Sequence, residues 1–280
     1  MDEFAKYAIQ KSQHVLISGD DYTFQNIGRI RIYGCFSPEM TFIGLSFSSN
    51  RCWAELDLAF NEKILKILTL MSTKTNVPLI WVGEKNIDWS SGTGIAEVGI
   101  IENSGGGLSC IAQDIKLGDV TNWIRKTFGV GVAEVGSGKQ YTDKPIDGFQ
   151  SWFQHNLPRN YVANDVDLLV LDIAEKPLAM VEIKRSKIYA IENWYPFVDD
   201  KPNYLLLKEF AHRCQIRPYI INQKIKDEIN DDDLVVLYDL TKSSECKIRK
   251  QGTSQVFEDK EISYSRQILK ALEVMKIILS

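Results

Sequence analysis

The chain has 280 residues, 44% of them hydrophobic, and a formal net charge of −4 at pH 7. This length suits one large domain or two small ones, and the hydrophobic content is sufficient for a buried core. A net negative charge excludes nucleic-acid binding through overall basicity, so any such binding must be local. No run of about 18 apolar residues predicts a membrane span, and the N-terminus lacks the apolar core of a signal peptide.

The cysteines are odd in number and have no C-x-x-C spacing. This pattern is typical of reduced thiols and predicts neither a disulfide framework nor a zinc site. Together with the missing signal peptide, it leads us to expect a cytoplasmic protein. The five cysteines are Cys35, Cys52, Cys110, Cys214 and Cys246.

The first half of the chain mixes strand and helix patterns. Its predicted elements are a short amphipathic helix at 2–14, strands at 29–36, 41–48 and 52–59, a helix at 64–71, strands at 78–83 and 95–101, and a helix capped by Asp119 and ended by Gly129. We expect residues 1–140 to form an N-terminal α/β domain that selects the substrate or mediates assembly.

The second half carries the more informative pattern, after a predicted linker at 129–144. Its predicted elements are a helix capped by Asp147, a hairpin within 164–186, a helix at 203–214, strands at 218–222 and 234–240, and a helix at 262–279. We expect residues 141–280 to form a second domain, with a mixed central sheet flanked by helices.

The predicted hairpin combines apolar strands with charged residues. Asp167 stands near the head of the first apolar run, and Glu182 and Lys184 stand near the end of the second. The intervening loop at 174–177 is short enough for an antiparallel connection. Successive strand residues alternate faces, so Glu182 and Lys184 share one face.

The strand register decides whether Asp167 joins them. If Ile173 pairs with Leu178, Asp167 lies opposite Lys184, on the face that also carries Glu182. A slip of two residues would preserve this face, whereas a slip of one would destroy it. Asp165 is a rival for the acidic position, but this register places it opposite Ser186, one step beyond the cluster.

Two carboxylates and a lysine on one face predict a divalent-metal site. Mg²⁺ prefers oxygen ligands and binds through one or two carboxylates, waters and substrate phosphate oxygens. We expect Asp167 and Glu182 to hold Mg²⁺, for which Mn²⁺ can substitute. Lys184 would orient a water or offset negative charge that develops on a phosphate. The alternative is an edge hairpin whose charged residues form an ordinary solvated face.

This arrangement resembles the PD-(D/E)xK nuclease superfamily, whose common core is that of restriction endonucleases. Asp167 matches the family's first acidic position, Glu182 the second, and Lys184 the lysine; no proline precedes the aspartate. The resemblance implies a helix and then a further strand after the Glu-x-Lys strand, as predicted at 203–214 and 218–222. It also implies a strand before Asp167, which the sequence marks poorly.

The resemblance implies a metal-dependent endodeoxyribonuclease, of the restriction type or linked to mobile elements, that acts on DNA. A homodimer is one expected assembly. Between residues 182 and 226 nine positive side chains outnumber five negative ones, which predicts local phosphate contacts. The candidates are Arg185, Lys187, Lys201 and Lys208.

Two rival functions remain open at this stage. One is a non-catalytic nucleic-acid-binding relative of the same fold, and the other is a structure-specific or RNA-directed nuclease. Trp194 and Tyr195 lie in a predicted loop after the motif and are candidates for base stacking, with packing in the loop as the alternative.

Overall fold

The computed structural model describes residues 3–12, 15–16, 29–36, 39–49, 52–56, 58–83, 87–88, 93–104, 107–129, 160–186, 190–226, 228–242, 248–251, 254–257 and 266–280. The chain divides into two compact units. We call Met1–Tyr22 with Val166–Ser280 the terminal unit, and Thr23–Asp165 the middle unit. The predicted boundary at residue 140 differs from this division, because the first residues of the chain belong with the C-terminal half.

The described helices and strands are defined as follows. The helices are α1 (Glu3–Lys11), α2 (Leu58–Thr75), α3 (Leu117–Thr127), α4 (Lys201–Cys214) and α5 (Ala271–Ile278). The strands are β1 (Val15–Leu16), β2 (Arg29–Phe36), β3 (Met40–Ser49), β4 (Leu79–Gly83), β5 (Ile87–Asp88), β6 (Thr93–Ser104), β7 (Gly107–Cys110), β8 (Gln113–Lys116), β9 (Tyr161–Asp165), β10 (Leu168–Leu171), β11 (Pro177–Ser186), β12 (Arg217–Lys224), β13 (Leu234–Asp239), β14 (Ile248–Gln251), β15 (Ser254–Phe257) and β16 (Arg266–Lys270).

The terminal unit is built on a mixed sheet with the strand order β1-β10-β11-β12-β13-β16. The pair β11 and β12 is parallel, and the other neighbours are antiparallel. Apolar side chains of α1 and α5 pack on one face of this sheet, in a core that includes Val181 and Ile183. Helix α4 adjoins β11 and β12. The predicted mixed α/β sheet flanked by helices is therefore confirmed at this level.

The N-terminal segment forms part of this unit through specific contacts. The predicted amphipathic helix is α1, whose residues Phe4 and Ala8 are fully buried. The Tyr7 hydroxyl donates a hydrogen bond to Asp231 at 3.0 Å. Strand β1 pairs with β10, with Val15 opposite Val170. The neighbour of β10 on the side away from β11 thus comes from residues about 150 positions earlier in the chain.

The middle unit has its own sheet, with the order β5-β6-β4-β3-β2-β9 and with β7 and β8 paired to β6. Helix α3 covers one face through Leu117, Val120 and Ile124. The last strand, β9, pairs antiparallel with β2 and places Asp165 opposite Arg31. The hairpin predicted within 164–186 therefore does not begin with one continuous strand: Asp165 ends β9 in the middle unit, and β10 begins at Leu168 in the terminal unit.

Most predicted elements are confirmed, and three are corrected. The strand predicted at 52–59 is wrong, because a 3₁₀ turn (Trp53–Glu55) precedes α2, whose apolar spacing extends helix to Leu58. Within the helix predicted at 262–279, residues 266–270 are instead β16, which pairs along its length with β13; residues 262–265 lie outside the described residues. Helix α3 begins two residues before Asp119, which lies in its first turn. The helix predicted to start at Asp147 lies outside the described residues.

Among the described segments, no helix is both long and apolar enough to cross a bilayer. Four cysteines are free thiols, and the fifth, Cys246, falls in a stretch the structure does not describe.

Candidate active site

The turn before the motif explains the observed strand register. The Asp172 side chain accepts hydrogen bonds from the backbone N–H groups of Ala174 and Lys176, at 2.8 and 2.9 Å. Glu175 adopts a left-handed φ of 63° to close the turn. Because this aspartate organises a five-residue loop, β11 starts at Pro177 and not one residue later.

The predicted pairing of Ile173 with Leu178 is therefore wrong. Leu168 pairs with Val181, a register shifted by two residues from the prediction. A two-residue shift leaves every side chain on its predicted face. Continued by one residue, this register places Asp167 next to Glu182 rather than opposite Lys184.

Asp167 is held against the middle of the Glu-x-Lys sequence. Its Oδ2 accepts a hydrogen bond of 2.7 Å from the backbone N–H of Ile183, the residue between Glu182 and Lys184. Asp167 lies just outside β10, so its carboxylate takes the place of a backbone acceptor in the ladder. The three predicted site residues are thus brought together at one end of the β10–β11 pair.

Glu182 and Lys184 form an ion pair on the face of β11 opposite the α1–α5 core. The Lys184 Nζ lies 3.0 Å from Glu182 Oε1, and Glu182 is only 7% exposed. Their neighbour Ile183 points into the core shared with α1 and α5. A buried carboxylate requires a compensating cation, and in this structure the ammonium is one.

Two further polar residues complete this cluster, and the sequence analysis missed both. The Lys184 Nζ lies 3.6 Å from Asp200 Oδ2 and 5.8 Å from the centre of the Tyr204 ring. The Tyr204 hydroxyl donates a hydrogen bond of 3.1 Å to the same Asp200 oxygen. Asp200 immediately precedes α4, and Tyr204 lies one turn into the helix. An acidic residue at the start of a predicted helix is the sequence signal that could have pointed to Asp200.

The charges around Lys184 determine its protonation. Burial, the largest single effect, would lower the pKa of Lys184, but the Glu182 carboxylate, Tyr204 and Asp200 all raise it and together outweigh burial. The pKa of Lys184 therefore stands well above its usual value. The ammonium is present at neutral pH, and the stability it contributes is lost only as pH rises through that elevated value.

Tyr204 is also fixed in one protonation state. Burial raises the pKa of Tyr204 well above its usual value, and the nearby Lys184 ammonium offsets this only in part. The phenol therefore stays neutral and serves as a donor to Asp200. Neither Lys184 nor Tyr204 is suited to accept a proton at neutral pH.

The carboxylates near the Glu-x-Lys sequence are the candidate ligands for a divalent cation. Glu182 and Asp200 lie 3.0 and 3.6 Å from the Lys184 ammonium, whereas Asp167 is held by the backbone N–H of Ile183. In the described part of the chain no group of three or more His, Cys, Asp or Glu side chains is arranged to hold a metal ion. A site here would use the adjacent pair Asp167 and Glu182, which is enough for Mg²⁺ with waters completing its shell.

Comparison with known proteins adds no assignment. No protein-family model, no curated protein and no solved structure matches this chain. The functional argument therefore rests on the geometry of the cluster.

The predicted phosphate-binding residues lie on different sides of the sheet. Lys201 and Lys208 belong to α4, three residues before and four after Tyr204, so they flank it on the same side of the helix. Arg185 is exposed, and strand alternation directs it away from the face of Lys184. Lys187 lies outside the described residues.

The two aromatic stacking candidates are buried. Trp194 is 3% and Tyr195 8% exposed. The Trp194 ring packs edge-on against Tyr238 with centroids 5.6 Å apart, and the Arg266 guanidinium lies 4.8 Å from the centre of the Tyr195 ring. Packing in the loop, the alternative given above, is therefore the correct interpretation for both.

Proposed function

We propose that this chain is a metal-dependent endodeoxyribonuclease, with a restriction-endonuclease-like core in its terminal unit. The observation that carries the proposal is the hydrogen bond from Ile183 to Asp167, next to the ion pair of Glu182 with Lys184. It brings an aspartate and a Glu-x-Lys sequence into one cluster, in a register that the loop and not the charged residues determines. A solvated polar face would not require Glu182 to be buried.

The order of elements in the terminal unit supports the same proposal. A helix and strand, α1 and β1, precede the hairpin β10–β11, and α4 followed by the parallel strand β12 comes after it. The resemblance to PD-(D/E)xK nucleases implies a strand before Asp167 and a helix and strand after Lys184. In the sheet, β10 has β1 as its other neighbour, and the middle unit separates β1 from the hairpin in the chain.

Asp167 and Glu182 are the residues that would hold Mg²⁺ or Mn²⁺. Their donor set fits a hard cation, because both offer carboxylate oxygens. When bound, the ion polarises the scissile phosphate and lowers the pKa of a water. Asp200, whose Oδ2 lies 3.6 Å from the Lys184 Nζ, adds negative charge that strengthens the attraction for the cation.

Lys184 would stabilise charge rather than remove a proton. Without a bound cation, the Glu182 carboxylate, Tyr204 and Asp200 raise the pKa of Lys184, which favours the charged ammonium over a proton acceptor. An ammonium beside the scissile phosphate lowers the energy of the transition state, in which negative charge builds on the phosphoryl oxygens. A side chain that is a quarter exposed, as Lys184 is, can reach a bound substrate.

The overall step is hydrolysis of one phosphodiester bond. The oxygen of a water molecule forms a bond to phosphorus, and the bond from phosphorus to the leaving oxygen breaks. The water releases a proton to solvent, and the leaving oxygen takes one up. Atoms and charge balance without an oxidant, a reductant or a further substrate.

A plasmid-cleavage assay tests this function directly. We expect the protein to convert supercoiled DNA to nicked or linear forms with Mg²⁺ or Mn²⁺ and not with EDTA. Glu182→Gln should lose this activity, because it removes a carboxylate ligand while keeping the size of the side chain. Cleavage would be followed on gels with supercoiled, linear and single-stranded DNA, and with RNA, as parallel substrates.

Each outcome of that assay has one meaning. Cleavage of RNA but not DNA would show that the protein is an RNA-directed nuclease. Binding of DNA without cleavage in any metal would favour a non-catalytic nucleic-acid-binding relative. Cleavage that Glu182→Gln leaves intact would show that the activity does not come from this site.

The salt dependence of DNA binding tests where the strand lies. We expect Lys201→Ala and Lys208→Ala each to reduce the slope of log K against log[salt] by about 0.9, because each removes one phosphate contact near Tyr204. Arg185→Ala is the comparison, because the Arg185 side chain projects from the opposite face of the sheet. The slope of log K against log[salt] should change less for this variant. The measurement is fluorescence anisotropy with labelled duplex DNA in Ca²⁺ over a range of salt concentrations. A larger change for Arg185→Ala than for the two lysine variants would place DNA on the other face.

A further inference from the structure

Asn222 lies directly beside Lys184 on the neighbouring strand. Strands β11 and β12 are parallel, and their register pairs Lys184 with Asn222. Register partners on parallel strands direct their side chains to the same face, and the strands lie about 4.8 Å apart. Asn222 is fully buried, with 0% exposure. The carboxamide is therefore buried on the same face of the sheet as Lys184 and is not on the surface.

The Asn222 side chain is unusual because its polar atoms are buried without hydrogen bonds. In the described part of the chain, neither its amide oxygen nor its amide nitrogen has a hydrogen-bond partner. Burial of such a group without a partner costs folding free energy, whereas an apolar residue of the same shape would avoid that cost. The two preceding residues of β12, Ile220 and Ile221, are apolar and also fully buried. A polar side chain at this point therefore indicates a ligand or partner in another state of the site.

That other state follows from the positions of Glu182 and Lys184. The Lys184 Nζ lies 3.0 Å from Glu182 Oε1. A Mg²⁺ ion bound to this oxygen would be about 2.1 Å from it, so the ammonium would be at most about 5 Å from the ion. Two positive groups at this separation repel each other in a partly buried site. A cation that takes Glu182 therefore moves Lys184 away from that carboxylate, toward Asp200, whose Oδ2 is 3.6 Å away, and toward the neighbouring strand β12.

We propose that Asn222 is a positioning residue that accepts a hydrogen bond from the Lys184 ammonium when a divalent cation occupies Glu182. This inference rests on the proposed function, because it assumes that Glu182 binds the cation. Asn222 is the register partner of Lys184 on the same face, so an ammonium held by its amide oxygen stays in the cluster instead of moving into solvent. A neutral amide can hold the ammonium without competing for the cation as a further carboxylate would.

Mn²⁺ binding and thermal stability of the full chain test this proposal together. Asn222→Leu removes the acceptor but keeps the branched shape, and Asn222→Val is a smaller second variant in case leucine does not fit. We expect both to bind Mn²⁺ about tenfold or more weakly than the parent, because a hydrogen bond to a charged group is lost from the loaded state. In EDTA their Tm should equal or exceed that of the parent, since an unpaired buried amide has been removed.

Gln223 provides the matched control. It is also fully buried, but it points to the opposite face and donates a hydrogen bond of 2.7 Å to Glu3 on α1. Gln223→Met should lower Tm in EDTA and leave Mn²⁺ affinity unchanged. Free Mn²⁺ would be measured by electron paramagnetic resonance, and Tm by circular dichroism.

The possible results separate this inference from the proposed function. If the parent binds Mn²⁺ through Glu182 and both Asn222 variants bind it equally well, the role of Asn222 is overturned and the nuclease proposal stands. If both Asn222 variants lose Tm in EDTA, the amide has a structural partner and the inference also fails. If the parent and Glu182→Gln bind Mn²⁺ with equal affinity, Glu182 is not a metal ligand. That result contradicts the proposed metal site and therefore also the role of Asn222.

Discussion

Lys184→Ala should reduce the rate of DNA cleavage by roughly 10²–10³-fold, the effect typical of losing one preorganised electrostatic group. Its affinity for DNA should fall only modestly, because the ammonium acts where charge builds in the transition state and less in the bound ground state. Single-turnover cleavage and DNA binding in Ca²⁺ measure the two quantities separately. The raised pKa of Lys184 supports this expectation, since the group is charged at the pH of the assay.

The stability of the variant must be followed in the same experiment. Removal of Lys184 leaves the buried Glu182 carboxylate without its ammonium, so some loss of stability in EDTA is expected. Mn²⁺ should reverse that loss of stability, because it supplies a positive charge at the same carboxylate. Lys184→Met, which preserves the length of the side chain, controls for packing. Equal loss of binding and cleavage in Lys184→Ala would show that Lys184 serves only to bind DNA.

Asp165→Ala should destabilise the middle unit by about 3–5 kcal/mol, the cost of breaking a buried ion pair from one side. The Asp165 Oδ1 lies 2.6 Å from Arg31 Nε, and the two side chains are 13% and 2% exposed. Loss of the carboxylate leaves the Arg31 charge buried. Urea unfolding followed by tryptophan fluorescence measures this, because five of the six tryptophans belong to the middle unit.

An exposed pair in the same unit gives the matched control. Glu62 and Lys66 lie one turn apart on α2 and are both about half exposed, so Glu62→Ala should cost no more than about 0.5 kcal/mol. Folded Asp165→Ala should retain the parent's cleavage rate, because Asp165 is paired within the other unit and is not part of the motif. Loss of cleavage without loss of stability would instead make Asp165 the acidic residue of the site.

The charged residues of the site were predictable from local sequence. Asp167, Glu182 and Lys184 stand at the ends of two short apolar runs joined by a loop, and strand alternation then dictates that Glu182 and Lys184 share a face. The same local patterns predicted α4 and β12, because helical spacing and a short apolar strand are properties of neighbouring residues. The strand register was wrong by two residues, yet the face was right, because side chains repeat every two residues.

The tertiary structure decided what depends on residues far apart in the chain. Strand β10 pairs with β1 and strand β9 pairs with β2, so the two units divide between Asp165 and Val166. No local pattern around residue 140 could show these long-range pairings. The edge strand β16 replaces a predicted helix because β13 offers it backbone partners.

The composition of the cluster around Lys184 was decided in the same way. Asp200 approaches only because α4 packs back on β11, and Asn222 lies beside Lys184 only because β12 runs parallel to that strand. Sequence spacing determines which side chains a single strand or helix presents together. Which strands and helices become neighbours is determined by burial of their apolar faces, and that is a property of the whole fold.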